Sequence, residues 1–476
     1  MGFTSEVFLF MFLPASAGIF FITRLFHSRK AEKIVLLFLS AAFYFWADAK
    51  TFGFFVLAPV FLWMYGNLIE SANKNVPEGE EKPRKWIALG VTLLAVYLFA
   101  AKYLSFFAEQ LGLLFHAEWT IAPIVVPIGV SFLVFEAISY LTDIWRGDAG
   151  AGSFLDAALF FTFFPKLVSG PIVLWKDFYP QTQEAPAVTN IAGGADRIAI
   201  GYAKKAILAD TFGAQIAAID GAMLLGDAGD PKTCFLRAIL YFFQIYYDFS
   251  GYSDIAIGLA QVFGYSFREN FNFPYISTSV TEFWRRWHIS LGTWFREYVY
   301  IPMGGNRRGN VYLHLFVVFL LTGIWHGANW TFLVWGALNG LFVVLERLCM
   351  KKKWYQRIPK LFRWFFTMVV IGLGWVIFSS PDLPSAFALI GAMFTPAAAP
   401  FNFTWRYYLT TKITVLLAIA GLGSVAGALP ERVREGKFFR SATYTVIRRM
   451  VLLCLFAAAI LFVVNSTYSP FLYFQF

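Results

Sequence analysis

The sequence predicts an all-α fold, in which one polytopic helical membrane domain spans residues 1–476. Hydrophobic residues make up 58% of the 476-residue chain and charged residues only 14%, and the mean hydropathy is +0.60. Apolar runs of about 18 or more residues recur along the chain, which is long enough to cross a bilayer. We therefore expect roughly ten to twelve full or partial spans in contact with membrane lipid, together with interfacial helices.

The start of the chain, its cysteines and its net charge further limit the class of protein that the sequence predicts. The opening MGFTSEVFLFMFLP has no basic start and no small-residue cleavage site, so we expect its apolar run to be a retained helix. Cys234, Cys349 and Cys454 are scattered, which argues against a disulfide framework and against a zinc site. The formal charge of +10 indicates basic loops at an anionic cytoplasmic leaflet rather than a nucleic-acid partner.

Charged loops predict the orientation in a cell membrane. The loops 24–33, 71–85, 346–363 and 431–449 are rich in Lys and Arg or of mixed charge, and by the positive-inside rule they face the cytoplasm. A single apolar run follows the last of them, so the C-terminal tail 465–476 is expected outside. The same counting places the N-terminus outside.

A helical hairpin is predicted around the sequence LTGIWHGANW. The basic loop GGNRRGN should be cytoplasmic, one helix should rise from Val311 to about Trp325, and another should descend from Thr331. Fifteen residues at about 1.5 Å each cover roughly 22 Å. His326 then lies in a turn within the outer half of the membrane or at its outer face.

Residues 281–310, TEFWRRWHISLGTWFREYVYIPMGGNRRGN, have an amphipathic pattern. At 100° per residue the aromatic face of a single helix comprises Trp284, Trp287, His288, Leu291, Trp294, Phe295 and Tyr298. The opposite face comprises Glu282, Arg285, Arg286, Thr293, Arg296 and Glu297. Such a helix is typical of a membrane interface. Two interpretations stay open, a simple anchor, or a surface whose arginines meet an anionic ligand such as a nucleotide phosphate.

A third segment, residues 241–260, places carboxylates in an otherwise apolar span. On a helix one stripe carries Gln244, Tyr247, Asp248, Gly251 and Gly258, with Asp254 at its edge. Carboxylates are costly at this depth and usually face a bundle interior or a wet cavity. They serve either a structural role, pairing with an arginine of residues 281–310, or the chemistry itself. The two glycines allow close helix packing or an unwound turn.

His326 is the candidate catalytic residue of the hairpin turn. A buried histidine is often only a structural hydrogen-bonding residue, but Gly327 and Asn329 indicate a helix break that can line a cavity. Histidine also titrates near neutral pH, as a general base requires. The chain contains no GxSxG, HExxH, GxxxxGK[ST] or HxxxxD motif, which leaves the common soluble hydrolase and nucleotide-cleaving plans unsupported.

Three long stretches carry a resemblance to a known family. They are YYDFSGYSDIAIGLA, TEFWRRWHISLGTWFREYVYIPMGGNRRG and LTGIWHGANWTFLVWG, and VPIGVSFLVFEAISYLTDIWRGD and FFPKLVSGPIV agree with them. With these motifs the chain resembles the membrane-bound O-acyltransferase superfamily. Within it, the chain is similar to the bacterial branch of the alginate O-acetyltransferase membrane subunit and the peptidoglycan O-acetyltransferases.

The resemblance implies a fold and a site. Helices, some of them re-entrant, would ring a thin central floor with a tunnel. His326 matches the family's essential catalytic histidine, and His288 matches a second histidine needed for activity. The acyl donor would enter from the cytoplasm, and the acyl group would reach an extracellular polymer through an extracytoplasmic SGNH-type, esterase-like partner.

The C-terminal PFLYFQF resembles the short aromatic terminus on which some cell-wall acyl-transfer systems carry the acyl group. A phenol has a pKa near 10, so an ester on Tyr473 would be a reactive acyl donor. Alternatively, these aromatic residues only anchor the tail at the membrane interface.

We therefore predict an O-acyltransferase that moves acetyl from cytosolic acetyl-CoA to an extracellular polysaccharide, with no bound cofactor or metal. His326 is the general base, and His288 positions the donor or polarises its carbonyl. The predicted tunnel and substrate-binding residues are Gln244, Asp248, Trp325, Asn329, Arg285 and Arg286. One alternative is D-alanyl transfer to teichoic acid from an acyl carrier protein. A remote alternative is an ion-coupled transporter that uses Asp248, Asp254 and the histidines.

Overall fold

A computed structural model describes most of the chain as helices. The residues described are 2–77, 80–117, 119, 121, 125–167, 170–183, 190–224, 230–395, 403–429, 436, 441–465 and 471. None of these residues forms a β-strand, as the predicted all-α class requires. The α-helices, in chain order, are α1 Leu13–Arg24, α2 Arg29–Ala47, α3 Phe52–Lys74, α4 Arg84–Phe115, α5 Val130–Arg146, α6 Phe154–Thr162, α7 Trp175–Gln183, α8 Ile191–Tyr202, α9 Asp210–Leu224, α10 Pro231–Val262, α11 Val280–Arg286, α12 Ile289–Phe295, α13 Val311–His326, α14 Trp330–Cys349, α15 Lys353–Arg357, α16 Lys360–Ser379, α17 Leu383–Phe394, α18 Trp405–Tyr408, α19 Thr411–Val425 and α20 Ala442–Asn465.

Short π-helical and 3₁₀ segments join some of these helices. The π-helical segments are Phe8–Phe12, Ala203–Ala209 and Arg296–Tyr300. The 3₁₀ segments are Pro274–Ile276 and Ala426–Ala428. Because Ala203–Ala209 joins α8 to α9 without a break, Ile191–Leu224 forms one long apolar helix.

Many helices are suited to a bilayer. Within the described residues, seven are long and apolar enough to cross it, namely Phe52–Lys74, Arg84–Phe115, Ile191–Leu224, Trp330–Cys349, Lys360–Ser379, Thr411–Ala428 and Ala442–Asn465. Three shorter apolar helices are Phe8–Arg24, Val311–His326 and Leu383–Phe394. The chain is therefore an all-α, multi-pass membrane protein, as predicted, while the sides that its loops and termini face remain predictions.

The chain packs into two compact units. Unit one comprises Met1–Ile198, Ile255–Arg268 and Thr293–Val299. Unit two comprises Ala199–Asp254, Glu269–Gly292 and Tyr300–Phe476. Unit one contains a buried ion pair between Lys166 and Glu136, whose charged atoms lie 2.5 Å apart. In the same unit Trp294 stacks on Phe135 with 3.8 Å between the ring centroids, and its indole N–H donates to the Phe135 carbonyl.

The α13–α14 hairpin of unit two depends on glycines where its two helices meet. A Cβ on Gly323 would lie 2.3 Å from the carbonyl oxygen of Phe332, and one on Gly336 would lie 2.6 Å from that of Phe319. Small residues allow such close backbone approach between membrane helices. The predicted hairpin is therefore confirmed, and its glycines bring the two helices into direct contact.

We expect Gly323→Ala to destabilise this hairpin by about 1–3 kcal/mol, because the added methyl group overpacks against a backbone carbonyl. Thermal unfolding of the purified protein would measure the loss. Gly421→Ala in α19 is the matched control, since a Cβ there meets nothing within 4 Å. Equal melting temperatures for the two variants would contradict the packing argument.

The single amphipathic helix predicted from Glu282 to Tyr298, within residues 281–310, is wrong. The helix breaks between α11 and α12, where His288 adopts a left-handed φ of 47°. The break is held by a distant loop, because the backbone N–H of Ile289 donates to the carbonyl of Asn270 at 2.9 Å. The predicted segregation of side chains survives the break, since His288 is buried and Arg285 is exposed.

Candidate functional site

His326 is the last residue of α13 and lies in an aromatic pocket of unit two. Its side chain is buried, and its ring centroid lies 4.9 Å from Trp325, 5.2 Å from Trp335 and 5.2 Å from Phe378. The rings of Trp335 and Phe378 meet the imidazole nearly edge-on. Such a pocket keeps water away from the imidazole and fixes the plane of its ring.

The turn after His326 is built by the residues that the sequence singled out. Gly327 is extended, and a Cβ on it would lie 2.5 Å from the ring of Phe332. The side-chain oxygen of Asn329 accepts from the backbone N–H of Thr331 at 3.0 Å and so caps α14. Its amide nitrogen donates to the carbonyl of Pro381 at 2.7 Å. Asn329 therefore holds the turn in place, and its predicted contact with substrate remains a prediction.

His288 comes to the same region of unit two from the broken helix. Its side chain is buried, and its ring meets Phe249 of α10 edge-on at 4.6 Å. Trp325 lies 6.2 Å from His288 and 4.9 Å from His326, again between ring centroids. The two histidines predicted to be catalytic are therefore gathered around one tryptophan, although 37 intervening residues separate them in sequence.

Asn270 is a residue of this site that the sequence analysis missed. Its carboxamide oxygen lies 3.1 Å from Nδ1 of His288. The same oxygen accepts from the backbone N–H of Ser290 at 3.2 Å and from its hydroxyl at 2.9 Å. The amide nitrogen donates to the hydroxyl of Ser253 at 3.0 Å. An asparagine in a loop looks like an ordinary turn residue, so no sequence signal marked it.

The two carboxylates of α10 are paired with lysines. Asp248 and Asp210 each lie 2.6 Å from Nζ of Lys205, and Asp254 lies 2.6 Å from Nζ of Lys204. The predicted pairing with an arginine of residues 281–310 is therefore wrong. The physical reason is that the Ala203–Ala209 segment passes directly beside α10 and brings two consecutive lysines to it.

Glycines account for that close approach. A Cβ on Gly251 would lie 2.9 Å from the carbonyl oxygen of Gly201, so the two backbones touch. Gln244 lies beside Gly213 of α9, because a Cβ added to Gly213 would be 2.6 Å from the amide nitrogen of Gln244. The predicted stripe of α10 therefore packs on the preceding helix, which is one of the two roles that the sequence left open for Gly251. That Gln244 and Asp248 bind substrate remains a prediction.

The two predicted arginines are arranged differently. Arg286 donates to the carboxylate of Glu282 at 3.0 Å and to the carbonyl of Asn272 at 3.1 Å, which fixes the end of α11. Arg285 is exposed. Its side chain is therefore accessible to an anionic ligand, while Arg286 already has two protein acceptors.

Tyr473 lies outside the described residues, but one neighbour in the tail is described. Phe471 is only 1% exposed and meets the ring of Tyr252 edge-on at 4.2 Å. The ammonium group of Lys205 lies 4.7 Å from the centroid of the Phe471 ring. Phe471 itself therefore lies in the interior of unit two.

One turn of α10 connects these features. Phe249 contacts His288, Tyr252 contacts Phe471, and Ser253 contacts Asn270. Residues three and four apart on a helix lie on the same side. Phe471 and the histidine site therefore meet the same short stretch of helix.

The site is suited to proton transfer. It has two buried imidazoles with aromatic walls, and a neutral imidazole presents one N–H donor and one nitrogen acceptor. Within the described part of the chain, no group of three or more His, Cys, Asp or Glu side chains is arranged to hold a metal ion.

Known proteins are similar to this chain over the region that contains the site. The model of the MBOAT, membrane-bound O-acyltransferase family, matches residues 232–380, which include both histidines. A probable alginate O-acetylase AlgI of Pseudomonas putida is 37% identical over 499 aligned positions, covering 100% of both chains. A peptidoglycan O-acetyltransferase of Helicobacter pylori is 31% identical and covers 82% of this chain and 79% of its own.

A more distant relative is a teichoic acid D-alanyltransferase of Streptococcus thermophilus. It is 28% identical over 240 aligned positions, covering 48% of this chain and 58% of its own. Full-length similarity to the alginate enzyme and the match of the family model around the two histidines agree with the resemblance seen in the motifs. The chain belongs to the membrane-bound O-acyltransferase family and is an O-acyltransferase.

Proposed function

We propose that this O-acyltransferase moves an acetyl group from cytosolic acetyl-CoA across the cell membrane, where it is used to O-acetylate an extracytoplasmic polysaccharide. The observation that carries the proposal is the meeting of His288 and His326 at Trp325 in one buried pocket. Two relatives support acetyl as the acyl group and a polysaccharide as the final acceptor, because their names refer to O-acetylation of alginate and of peptidoglycan.

In the proposed reaction His326 is the general base. It takes the proton of an attacking hydroxyl group as that oxygen forms a bond to the thioester carbonyl carbon. The carbon–sulfur bond then breaks, and the thiolate of CoA takes the proton back from the imidazolium. The aromatic walls exclude water, which otherwise would hydrolyse the thioester. His288, whose ring centroid lies 6.2 Å from that of Trp325, completes the site.

Exposed cations support CoA as the donor. Arg285, Arg307 and Arg308 are exposed. Arg347, also exposed, donates to the side-chain oxygen of Asn306 at 2.9 Å and so ties the basic loop to the end of α14. Guanidinium groups bind phosphates well because they present several donors in one plane. The nucleotide of CoA carries such phosphates.

Tyr473 is the proposed first acceptor of the acetyl group. The buried contacts of Phe471, two residues earlier, support a tail that reaches the interior of unit two. An acetyl ester on Tyr473 would then pass to an SGNH-type, esterase-like partner outside the membrane, and from it to the polysaccharide. A tail that serves only as an anchor would make no ester.

Isotopically labelled acetyl-CoA tests the relay. We expect purified protein to gain one acetyl group by intact mass, and peptide mapping to place it on Tyr473. Tyr473→Phe should abolish the label, whereas Tyr468→Phe, the matched change in the same tail, should keep it. Release of CoA only after a polymer or partner is added, with no labelled protein, would mean direct transfer.

D-alanyl transfer to teichoic acid is the second candidate, because a teichoic acid D-alanyltransferase matches 48% of the chain. Its donor would be a carrier-protein thioester, which docks on an apolar surface rather than on phosphate-binding cations. Turnover of D-alanyl carrier protein with no turnover of acetyl-CoA would select it. Membership of an acyltransferase family disfavours the ion-coupled transporter.

A further inference from the structure

The hydrogen bonds of Asn270 determine which of its side-chain atoms faces His288. The backbone N–H of Ser290 is an obligate donor, and it lies 3.2 Å from the atom assigned as Oδ1. A flipped amide would place an NH₂ group against this N–H, and two donors would face each other. The carboxamide oxygen therefore faces Ser290 and also faces Nδ1 of His288 at 3.1 Å.

A carboxamide oxygen only accepts hydrogen bonds. Nδ1 of His288 must therefore carry the hydrogen that it shares with Asn270. Phe249 and Trp325 flank the ring, and its Nε2 is buried. Because this apolar environment disfavours a charged ring, the neutral form with hydrogen on Nδ1 is the one selected. Nε2 then has a lone pair.

We propose that Asn270 is a positioning residue, which holds His288 as the Nδ1–H tautomer and makes its Nε2 a hydrogen-bond acceptor during acyl transfer. This inference rests on the proposed function for its role in the reaction. It changes the role that the sequence suggested, because a neutral His288 in this form has no Nε2–H with which to polarise the thioester carbonyl.

The Nδ1–H tautomer of His288, which leaves a lone pair on Nε2, suits the proposed reaction. His326 gains a positive charge when it takes the proton, and both rings lie around Trp325. A lone pair on His288 stabilises that charge, whereas an N–H directed into the pocket would oppose it. Ser253 and Ser290 hold the Asn270 amide in place, so the orientation of the histidine is set before substrate arrives.

Nitrogen NMR of the full chain, labelled at histidine, tests the tautomer without relying on activity. One-bond and long-range couplings show which ring nitrogen carries hydrogen, and the resonances of His288 are those lost in His288→Gln. We expect hydrogen on Nδ1 in the wild type and in Asn270→Asp. In Asn270→Ala we expect the Nε2–H tautomer or a mixture. An Nε2–H form in the wild type, or an unchanged tautomer in Asn270→Ala, overturns the proposal.

Kinetics with acetyl-CoA give the second readout. Asn270→Ala should lower kcat about 10- to 100-fold, the range found when metal-binding histidines lose the partner that orients them, with little change in KM. Asn270→Asp should recover part of that loss, and Asn272→Ala, an exposed asparagine two residues away, should behave as wild type. If Asn270→Ala fails to fold, the His288 tautomers in the wild type and in Asn270→Asp still test the proposal. If the Nδ1–H tautomer is confirmed but the protein does not turn over acetyl-CoA, the result counts against acetyl transfer and not against the positioning of His288.

Discussion

Replacing His326 with glutamine is expected to lower acetyl transfer by about 10²- to 10⁴-fold, the usual contribution of a general base. Glutamine keeps a polar side chain in the aromatic pocket but does not take up a proton near neutral pH. The measurement is CoA release by the purified protein at saturating acetyl-CoA. The effect should fall on kcat, because the pocket around residue 326 still has its aromatic walls.

His314→Gln is the matched control. His314 lies on the same helix as His326, it is also buried, and its Nδ1 lies 3.0 Å from the carbonyl oxygen of Gly305. It is twelve residues from His326, which is about 18 Å along the helix. We expect close to full activity from this variant. Wild-type transfer by His326→Gln, or equal losses in the two variants, would remove His326 from the chemistry.

Lys205→Met is expected to destabilise the protein by about 3–5 kcal/mol, the usual cost of removing one partner from a buried ion pair. The Lys205 and Asp248 side chains are each 2% exposed, so the orphaned carboxylate has little access to water. A strong fall in the thermal midpoint of the purified protein would measure this. Phe471 also loses its cation, so the tail should become more accessible to protease.

Two further variants test whether the buried ion pair accounts for the loss of stability in Lys205→Met. Lys204→Met removes the neighbouring cation, whose side chain is 24% exposed, and should destabilise the protein less than Lys205→Met does. Adding Asp248→Asn to Lys205→Met removes the buried charge and should recover a large part of the stability. Equal losses for the two lysine variants, or no recovery in the double variant, would show that the pair does not account for the effect.

Composition and local pattern predicted the hairpin well. The helix expected from Val311 to about Trp325 runs from Val311 to His326. Its start is marked in the sequence, because Asn310 caps it by accepting from the backbone N–H of Tyr312 at 2.9 Å. Its end is marked by Gly327, and the next helix starts directly after a second asparagine cap. Local chemistry determines both boundaries, so the sequence shows them.

The break at His288 was not predictable in the same way. The amphipathic pattern continues through residues 281–300, and nothing local requires a left-handed residue. The break is stabilised by Asn270, which is 18 residues away in the chain. The partners of Asp248 and Asp254 were missed for a similar reason, because two lysines in an apolar helix look like the end of a span. Tertiary contacts decide these features, and a periodic pattern does not contain them.

Residues 248–254 of α10, about two turns of helix, contact several other parts of unit two. Its contacts leave it in different directions, because successive residues differ by about 100° around the axis. Asp248 and Asp254 face Lys205 and Lys204, while Phe249 faces His288. Movement of this part of α10 would therefore break several of these contacts at once. A change in the ion pairs of α10 would therefore also shift Phe249, the aromatic neighbour of His288.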